Sequence, residues 1–394
     1  MNALTGHYRL HPGSAQPIWG TRPVLGADRL SQLLRGQPQA GALQRLGHVF
    51  SLCSHAHQHA GRLAWAAAQS GSTVSTAQSL PPGPAAWAHL RWATLRDHLR
   101  SMALEWPPRL GGEGAAAPSL GWLQTCPLPL AGPAPQTEAA TWAAIQTFRT
   151  WLETQVLGVD AHRWLAAHQE PDALADGCLR HHAQPVAIHA APVLLLAQWH
   201  ARANALHASG PTLDVLDADP AVQRAHLQTL AGQIDADPAF VLHPLWQGTP
   251  AETGPWTRLR LRGAPRPTSA WSRLAARWRE LVTLAAAPPP PTAVQDPLLA
   301  SGALALDGGR AIAWCEMARG LLLHWVQLDS AGGVQQYRVL APTEWNFHPQ
   351  GALAGALAAL APSDVVSAQL LAAAFDPCVD CTVLTTDLEE PPHA

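Results

Sequence analysis

Apolar side chains recur every three to five positions in three long segments of the chain, residues 84–106, 138–157 and 268–284. This periodicity is typical of an amphipathic α-helix whose apolar face packs against a core. Alanine and leucine, which favour helix, are frequent in the same segments. The apolar positions that define the three faces are Trp87, Leu90, Leu95, Leu99 and Met102, then Trp142, Ile145, Phe148, Leu152 and Val156, then Trp271, Leu274, Trp278 and Leu281.

Proline and glycine interrupt the helical pattern in three places, residues 107–118, residues 127–135 and a proline run at 288–291. We interpret the proline run as the centre of a stiff, extended connector over residues 285–297. A connector of this length is compatible with one continuous fold, so we expect a single domain spanning residues 1–394.

Beyond the proline run the pattern changes to one that favours strands. Residues 311–316 and 321–328 are short apolar runs, and residues 334–340 alternate after a turn-like Ser-Ala-Gly-Gly. Short apolar or alternating runs bounded by turn residues predict β-strands. The expected fold class is therefore mainly α with a small β element.

Composition and charge exclude several classes of function. Of the 394 residues, 47% are hydrophobic and 13% are charged, which excludes disorder of the whole chain. The net charge of -3 gives no basic footprint for nucleic acid or for an anionic membrane. The N-terminus has no apolar signal region, and no apolar run reaches the ~20 residues of a spanning helix. We expect a cytoplasmic protein with no membrane span and no nucleic-acid partner.

Cysteine offers the first candidate chemistry. Two of the six cysteines, Cys378 and Cys381, are closely spaced in Phe-Asp-Pro-Cys-Val-Asp-Cys near the C-terminus. Thiols at this spacing can bind one metal centre, because a tight turn brings both sulfurs to one side. A structural zinc site would need a second such pair, which the sequence lacks. A thioredoxin-type pair would open a helix early in the chain, whereas this pair lies near the C-terminus.

A second candidate cluster lies near the N-terminus, where Cys53 is followed by His55, His57 and His59. On a strand, this alternation would put the three histidines on one side, as a metal cluster requires. On a helix, they would point in different directions. Solvated or hydrogen-bonded histidines are the alternative to metal ligands here.

The two clusters together resemble the metal-binding motifs of nickel–iron hydrogenase large subunits, R-x-C-G-x-C-x-x-x-H and D-P-C-x-x-C-x-x-H. Cys53 and His57 match the second cysteine and the histidine of the first motif, whereas Phe50 stands at its first cysteine. Residues 376–381 match the second motif, whose final histidine is replaced by Leu384.

Four intervening segments resemble the same family in order and spacing. They are Leu-Arg-Asp-His-Leu at 95–99, Glu-Thr-Gly-Pro-Trp-Thr-Arg at 252–258, Glu-Met-Ala-Arg-Gly at 316–320 followed by His324 and Trp325, and Pro-Thr-Glu-Trp-Asn at 342–346. Each match is weak alone, but their common order from residue 50 to residue 381 makes the resemblance specific.

The resemblance implies a metal site whose two halves differ. Carried over position by position, Cys53 and Cys381 become the thiolates that bridge to iron, and Cys378 becomes a nickel-type ligand. Phe50 removes a second nickel-type ligand. The iron half is then complete, while the nickel half has lost a thiolate and should bind nickel poorly.

The resemblance also implies surroundings for the iron. Arg319 and Thr343 would hydrogen-bond two cyanide ligands, and Leu322 and Pro342 would form an apolar wall around a carbonyl ligand. His57 would donate toward a bridging sulfur. Without the resemblance, Arg319 would be interpreted as an ordinary surface or helix-end arginine.

Two further departures from the catalytic family indicate a role without catalysis. Residues 25–28 offer only an aspartate in place of an N-terminal proton-transferring glutamate, and Leu384 removes the histidine beside which a maturation protease cuts. This combination resembles the HupK/HoxV-type hydrogenase expression/formation proteins. It implies a scaffold that receives an Fe(CN)2(CO) unit from other maturation proteins and passes it to the apo large subunit, without nickel.

Two other functions remain open from the sequence. A metal-free chaperone could dock to maturation partners by imitating the surface of the large subunit. A divergent hydrogenase could work with three thiolates, although Phe50 and Leu384 argue against it. Cys126, Cys178 and Cys315 match no ligand position and are interpreted as ordinary thiols.

Overall fold

The computed structural model describes residues 6–26, 28–70, 84–110, 120–169, 171–183, 191–290 and 298–385. Within these residues α-helices dominate and two small sheets complete the fold. The expected fold class, mainly α with a small β element, is confirmed.

The α-helices carry most of the core. In chain order they are α1 (Arg29–Leu34), α2 (Gln39–Val49), α3 (Ser54–Ser70), α4 (Pro84–Arg100), α5 (Trp106–Leu110), α6 (Glu138–Leu152), α7 (Ala161–Ala167), α8 (Pro171–Ala183), α9 (Ala191–Gln198), α10 (His200–Ala205), α11 (Pro220–Ala236), α12 (Ala270–Ala286), α13 (Pro342–Asn346), α14 (Ala352–Ala358) and α15 (Val365–Phe375). Two π-helical segments, Ser101–Glu105 and Glu153–Leu157, continue α4 and α6.

The strands form two sheets. In chain order they are β1 (His7–Leu10), β2 (Ile18–Trp19), β3 (Ser301–Leu306), β4 (Arg310–Met317), β5 (Gly320–Leu328), β6 (Val334–Leu340) and β7 (Asp380–Val383). Strands β3 to β6 form an antiparallel meander that packs against α3. In the second sheet, β1 pairs antiparallel with β2 and parallel with β7, so one sheet joins the two ends of the described chain.

The three predicted helices are confirmed. Residues 84–106 form α4 and its π-helical continuation up to the start of α5, residues 138–157 form α6 with its π-helical end, and residues 268–284 coincide with α12 to within two residues. The apolar positions that defined their faces are buried, apart from the half-buried Trp142. Periodicity therefore located the core-facing side of each helix.

The prediction that residues 107–118 interrupt the helix is wrong at its start, because α5 runs through Pro107 and Pro108 to Leu110. The preceding turns are π-helical, so these prolines stand in the first turn of a new α-helix, where a missing N–H costs little. Residues 111–119 lie outside the described residues. Residues 127–135 are irregular, as expected.

The predicted β element is confirmed in its three strands, which are β4, β5 and β6. The sequence analysis missed β3, and it also missed the small sheet of β1, β2 and β7. The latter strands have four residues or fewer, which is too short for a period of two to be recognised. Of the expected connector at 285–297, α12 covers the first two residues, and 291–297 lie outside the described residues.

The buried face of α12 carries charge as well as apolar groups. Arg273, Arg277 and Glu280 recur at helical spacing and are each at most 3% exposed. Charges buried at this depth are costly unless they are paired and hydrogen-bonded. Arg273 meets this requirement by donating to both carboxylate oxygens of Glu252, at 2.7 and 3.0 Å.

The partners of the other two charges come from distant parts of the chain. Glu280 accepts from Arg258 at 2.6 and 2.7 Å and lies 2.7 Å from the Nε2 atom of His98. Arg277 lies 3.2 Å from the carboxylate of Asp376. These ion pairs tie α12 to α4, to the segment before α12 and to the C-terminal loop. The helix therefore orders the elements that carry the candidate site.

We predict that Glu280→Gln strongly destabilises the protein. Glutamine keeps the shape but removes the charge, and it leaves the buried Arg258 guanidinium without an anion. Breaking a buried pair in this way costs about 3–5 kcal/mol of unfolding free energy, measured by urea unfolding. The control is Asp235→Asn, which removes a partly exposed pair with Arg310 and should cost under about 1 kcal/mol. Equal losses in the two variants would contradict the assignment.

Candidate functional site

The N-terminal half of the site lies between two helices. After α2 the chain passes through Phe50 and makes a single 3-10 turn, Ser51–Cys53. It enters α3 at the next residue. The backbone N–H of Cys53 donates to the Phe50 carbonyl at 3.1 Å, which fixes the turn. Cys53 is 3% exposed, so its thiol faces the interior.

The C-terminal half follows α15. This helix ends at Phe375, and Asp376 takes the left-handed conformation with φ 48°, a conformation that aspartate tolerates better than most residues. Pro377 then prevents the helix from continuing. The chain turns through Cys378 into β7, which begins at Asp380.

The Asp376 carboxylate anchors this turn. It accepts a hydrogen bond from the Ser101 hydroxyl at 2.7 Å and lies 3.2 Å from Arg277 and 3.5 Å from Arg319. The arginines hold the pKa of Asp376 below its usual value despite the opposing effect of burial. Ser101 begins the π-helical segment after α4, a type of segment often found at functional sites.

The two halves meet at their sulfurs, because the Cys53 and Cys378 side chains lie within hydrogen-bonding reach of each other. The hydrogen bond from Cys53 lowers the pKa of Cys378 well below its usual value, and the charges of Arg22 and Arg319 act in the same direction. The same hydrogen bond and burial raise the pKa of Cys53. Of the two thiols, Cys378 is therefore the one whose thiolate form its surroundings favour.

Thr343 completes the environment of the thiolate. Its hydroxyl accepts the Cys378 backbone N–H at 3.2 Å and lies 3.0 Å from the Cys378 sulfur. A hydroxyl has one proton, and an oxygen that accepts the N–H is free to donate that proton to the sulfur. The structure thus directs Thr343 toward Cys378, whereas the sequence assigned it to a cyanide ligand.

A cavity of about 120 Å³ opens beside the two sulfurs. One water molecule takes about 30 Å³ in the liquid, so the cavity has room for a group a few water molecules in size. The residues that line it are Arg22, Val49, Phe50, Ser51, Leu52, Cys53, Cys378, Val379 and Asp380. It combines two thiols, an aromatic wall, the buried positive charge of Arg22 and the exposed side chain of Asp380.

Arg22 is the residue of this cavity that the sequence analysis missed. It is 2% exposed, its guanidinium carbon lies 5.1 Å from the centre of the Phe50 ring, and it pairs with the buried Glu344 at 3.4 Å. Burial raises the pKa of Glu344 to about 7, against the lowering effect of Arg22. No motif surrounds Arg22, and its partner is 322 residues away in sequence, so no local signal could have identified it.

Arg319 lies between the turn anchor and the thiols. It is 2% exposed, pairs with Asp376 and with Glu105 at 3.4 Å, and its Nε atom makes no hydrogen bond. The effects of Cys378 and Cys53 on its pKa place it near both thiols. The alternative of a surface arginine is therefore wrong.

The three histidines of the N-terminal cluster lie on α3 and point in different directions, as a helix requires. His57 Nδ1 lies 3.0 Å from His324 Nε2, whereas His59 Nε2 lies 3.0 Å from the Ser301 hydroxyl. The histidines therefore do not form a common metal cluster on one side of a strand, and hydrogen-bonded side chains, the alternative, describe His57 and His59.

His57 is enclosed by aromatic and polar groups. Its ring stacks on Phe50 at 3.8 Å between centroids, and its His324 partner in turn lies 2.6 Å from the Tyr337 hydroxyl. Burial lowers its pKa well below the usual value, so the ring is neutral. Its Nε2 atom is buried without a hydrogen-bond partner. The predicted donation from His57 to a sulfur stays a prediction.

Three other predicted residues, Leu322, Pro342 and Cys381, do not line the cavity. Leu322, on β5 opposite Cys315, and Pro342, the first residue of α13, are both buried. Cys381 lies on β7 opposite Tyr8 and is only partly buried. Its side chain makes no hydrogen bond to Cys53 or Cys378 among the described residues. The structure therefore joins Cys53 to Cys378 rather than to Cys381.

Across the part of the chain that the structure describes, no group of three or more histidine, cysteine, aspartate or glutamate side chains is arranged to hold a metal ion. The predicted ligands Cys53, Cys378 and Cys381 therefore stay predictions. Within the same residues, no helix is both long and apolar enough to cross a membrane.

Comparison with known proteins identifies the family. The family model described as nickel-dependent hydrogenase matches residues 296–384, which include the β-meander and both C-terminal cysteines. Over 97% of this chain and 96% of the relative, the sequence is 39% identical to the hydrogenase expression/formation protein HoxV of Cupriavidus necator. The chain belongs to the HupK/HoxV-type hydrogenase expression/formation proteins.

A second member of the HupK/HoxV-type family, HupK of Bradyrhizobium diazoefficiens, is 28% identical over 93% of this chain and 91% of its own length. Among solved structures, the crystal structure of an NAD+-reducing [NiFe]-hydrogenase in the H2-reduced state aligns over 89% of each chain, with a TM-score of 0.39 and 14% identity. Membership of the family confirms the resemblance drawn from the motifs and supports a role in hydrogenase maturation.

We predict that Cys378 is the thiol that reacts at neutral pH. Because its pKa is depressed, iodoacetamide should label it first, while Cys178, whose pKa burial raises to about 12, stays unlabelled. Thr343→Val removes the donor to the thiolate and should raise the pH of half-maximal labelling by about one unit, the effect of a hydrogen bond worth about 1 kcal/mol. Peptide mass spectrometry locates the label. Labelling of Cys178 before Cys378 would disprove this assignment.

We also predict that the buried histidines make the protein acid-sensitive. Burial lowers the pKa of His59 to about 4 and that of His324 to about 3. Below pH 6.5 the unfolded chain takes up protons that the folded chain cannot, so stability falls as pH drops from about 6.5 toward 4. Each histidine contributes up to about 1.4 kcal/mol per pH unit. The measurement is urea unfolding at several pH values. His59→Gln should reduce the loss of unfolding free energy per pH unit, and an unchanged loss would show that His59 does not contribute to it.

Proposed function

We propose that the chain is a non-catalytic hydrogenase maturation scaffold that binds an Fe(CN)2(CO) unit through cysteines and then passes it on. The iron unit is its cargo, not a resident cofactor. Other maturation proteins would deliver the unit, and the apo large subunit of a nickel–iron hydrogenase would receive it. The cytoplasm is the compartment that we propose for this exchange.

The observation that carries the proposal is the meeting of Cys53 and Cys378 at one cavity. These thiols come from opposite ends of the chain and lie within hydrogen-bonding reach of each other. Metal ligation requires thiolates, and Cys378 is held as one by Cys53, Arg22 and Arg319. Two sulfurs bound to an iron unit leave a net negative complex, which the two arginines would stabilise.

The aromatic wall argues for a single metal. The Phe50 ring fills the position of a fourth thiol in the resemblance, and it is fixed by stacking on His57 and by the Arg22 guanidinium. The described residues therefore do not fit a nickel ion beside the iron. A site with fewer thiolates than the receiving subunit would hold its cargo less tightly, which favours release toward a four-cysteine site.

The remaining residues of the predicted site keep their proposed roles around the cargo. Cys381 would complete the ligand set beside Cys53 and Cys378. Arg319 would donate to a cyanide through its buried Nε atom, which lies 3.5 Å from the Asp376 carboxylate and makes no hydrogen bond. Thr343 would also donate to a cyanide. Its hydroxyl now donates to the Cys378 sulfur, and it would be released when the metal binds that sulfur.

Two apolar residues and one histidine also have proposed roles toward the cargo. Leu322 and Pro342 would provide the apolar side toward the carbonyl ligand. The unpartnered Nε2 atom of His57 would donate to a metal-bound sulfur. Without a fourth thiolate, we propose no hydrogenase activity for this chain.

Infrared spectroscopy tests the proposal directly. The protein is purified without oxygen from a host that makes the complete maturation machinery, and bands of metal-bound CO and CN are recorded. We expect one carbonyl band and two cyanide bands, with loss of all three in Cys53→Ala. Cys178→Ala is the matched control, since Cys178 is a buried thiol outside the cavity, and it should keep the bands.

The C-terminal variants then decide which thiols bind iron. Loss of the bands in Cys378→Ala supports the pair that the structure joins, and loss in Cys381→Ala supports the pair that the sequence resemblance implies. Folded wild-type protein without bands, in a host with active machinery, would instead support a metal-free chaperone.

A further inference from the structure

Arg22 lines the cavity but matches none of the ligand positions that the sequence resemblance implies. It lines the cavity beside Cys53, Cys378 and Phe50, and it is 2% exposed. Its pKa lies above the usual value because the nearby acidic groups, led by Cys378 and Glu344, outweigh the effect of burial. It is therefore a permanent cation in the wall of a thiol site.

The guanidinium is also incompletely satisfied. Its Nη1 atom reaches Glu344 only at 3.4 and 3.5 Å, and its Nε atom is buried without a hydrogen-bond partner. A buried N–H without an acceptor is costly. Beside a cavity, this N–H is an unused donor, and it favours a ligand that brings lone pairs and negative charge.

We propose that Arg22 is the selectivity residue of the cavity, and that its charge admits an anionic metal complex and rejects a bare divalent cation. This inference rests on the proposed function in taking the cavity as the cargo site. Two thiols alone would attract Ni²⁺ or Zn²⁺ from solution. A fixed cation beside the sulfurs repels such an ion, while it stabilises an iron unit whose bound thiolates make it negative.

Glu344 sets the strength of this effect. It is 1% exposed on α13, next to the Thr343 that contacts Cys378, and it partly compensates the Arg22 charge. Removing Glu344 leaves Arg22 uncompensated and should increase the rejection of cations. Removing Arg22 alone would free a carboxylate that could itself bind a metal, so the informative variant removes both groups.

The test uses the apo protein with Ni²⁺ alone, and therefore does not depend on the iron unit. Thiolate-to-nickel charge-transfer absorption reports binding at the cysteines. The double variant removes the Arg22 charge, which lines the cavity, together with the opposing charge of Glu344, which does not line it. It therefore loses only part of the repulsion that a full unit charge would exert on a divalent ion, and binding should tighten roughly ten- to hundredfold. We expect this gain in Arg22→Met/Glu344→Gln, no gain in Arg22→Lys, and weaker binding than wild type in Glu344→Gln.

Arg338 provides a matched control. It is also buried, and its guanidinium carbon lies 5.2 Å from the centre of the Trp325 ring, but it does not line the cavity. Arg338→Met should leave the nickel affinity unchanged, and circular dichroism verifies that each variant is folded. Equal nickel affinities in wild type, Arg338→Met and the double variant would overturn the proposal.

A second measurement covers the case in which the double variant does not fold. Iodoacetate is anionic and iodoacetamide is neutral, and both alkylate the thiolate, so the ratio of their rates at Cys378 is independent of the thiolate fraction. We expect this ratio to rise severalfold in Glu344→Gln, which exposes the full Arg22 charge. An unchanged ratio would overturn the proposal even if the infrared bands of the iron unit are present. If the rate ratio rises but the infrared bands are absent, Arg22 selects anions although the chain does not carry the iron unit.

Discussion

The candidate site depends on the contacts that the Asp376 carboxylate makes. It brings together Ser101 after α4, Arg277 on α12 and Arg319 at the turn between β4 and β5. These elements are far apart in sequence and could not be held in register by local structure. Since Asp376 ends α15 two residues before Cys378, the same contacts fix where that sulfur lies. The ion-pair network therefore supports the loop that carries Cys378.

The site is built from charge that is buried but balanced. The charges of Arg22 and Arg319 both lower the pKa of Cys378, and each arginine also pairs with a carboxylate, Glu344 for Arg22 and Asp376 for Arg319. Such an arrangement favours the thiolate form of Cys378 and leaves the buried Nε atoms of Arg22 and Arg319 without hydrogen-bond partners. It suits a ligand that arrives with its own negative charge. The Phe50 ring closes one side of the cavity beside Arg22.

Much of the fold followed from the sequence. Helical periodicity located α4, α6 and α12 with their buried faces, and short apolar runs located β4, β5 and β6. The six-residue strand β3 was missed, and two other kinds of element were missed for physical reasons. Strands of four residues or fewer carry too little pattern to be recognised. The π-helical turn before Pro107 and Pro108 allowed a helix to restart where the prolines indicated an interruption.

The sequence by itself determined the family, the amphipathic helices and the residue types available for metal chemistry, because these depend on order and local spacing. Only the tertiary structure decided that Cys53 meets Cys378, while Cys381 turns onto β7. It alone placed Arg22 opposite Glu344, 322 residues away. Long-range pairing depends on how distant elements pack, and buried charges find partners through that packing. For this reason the electrostatic character of the cavity could not be predicted from the order of its residues.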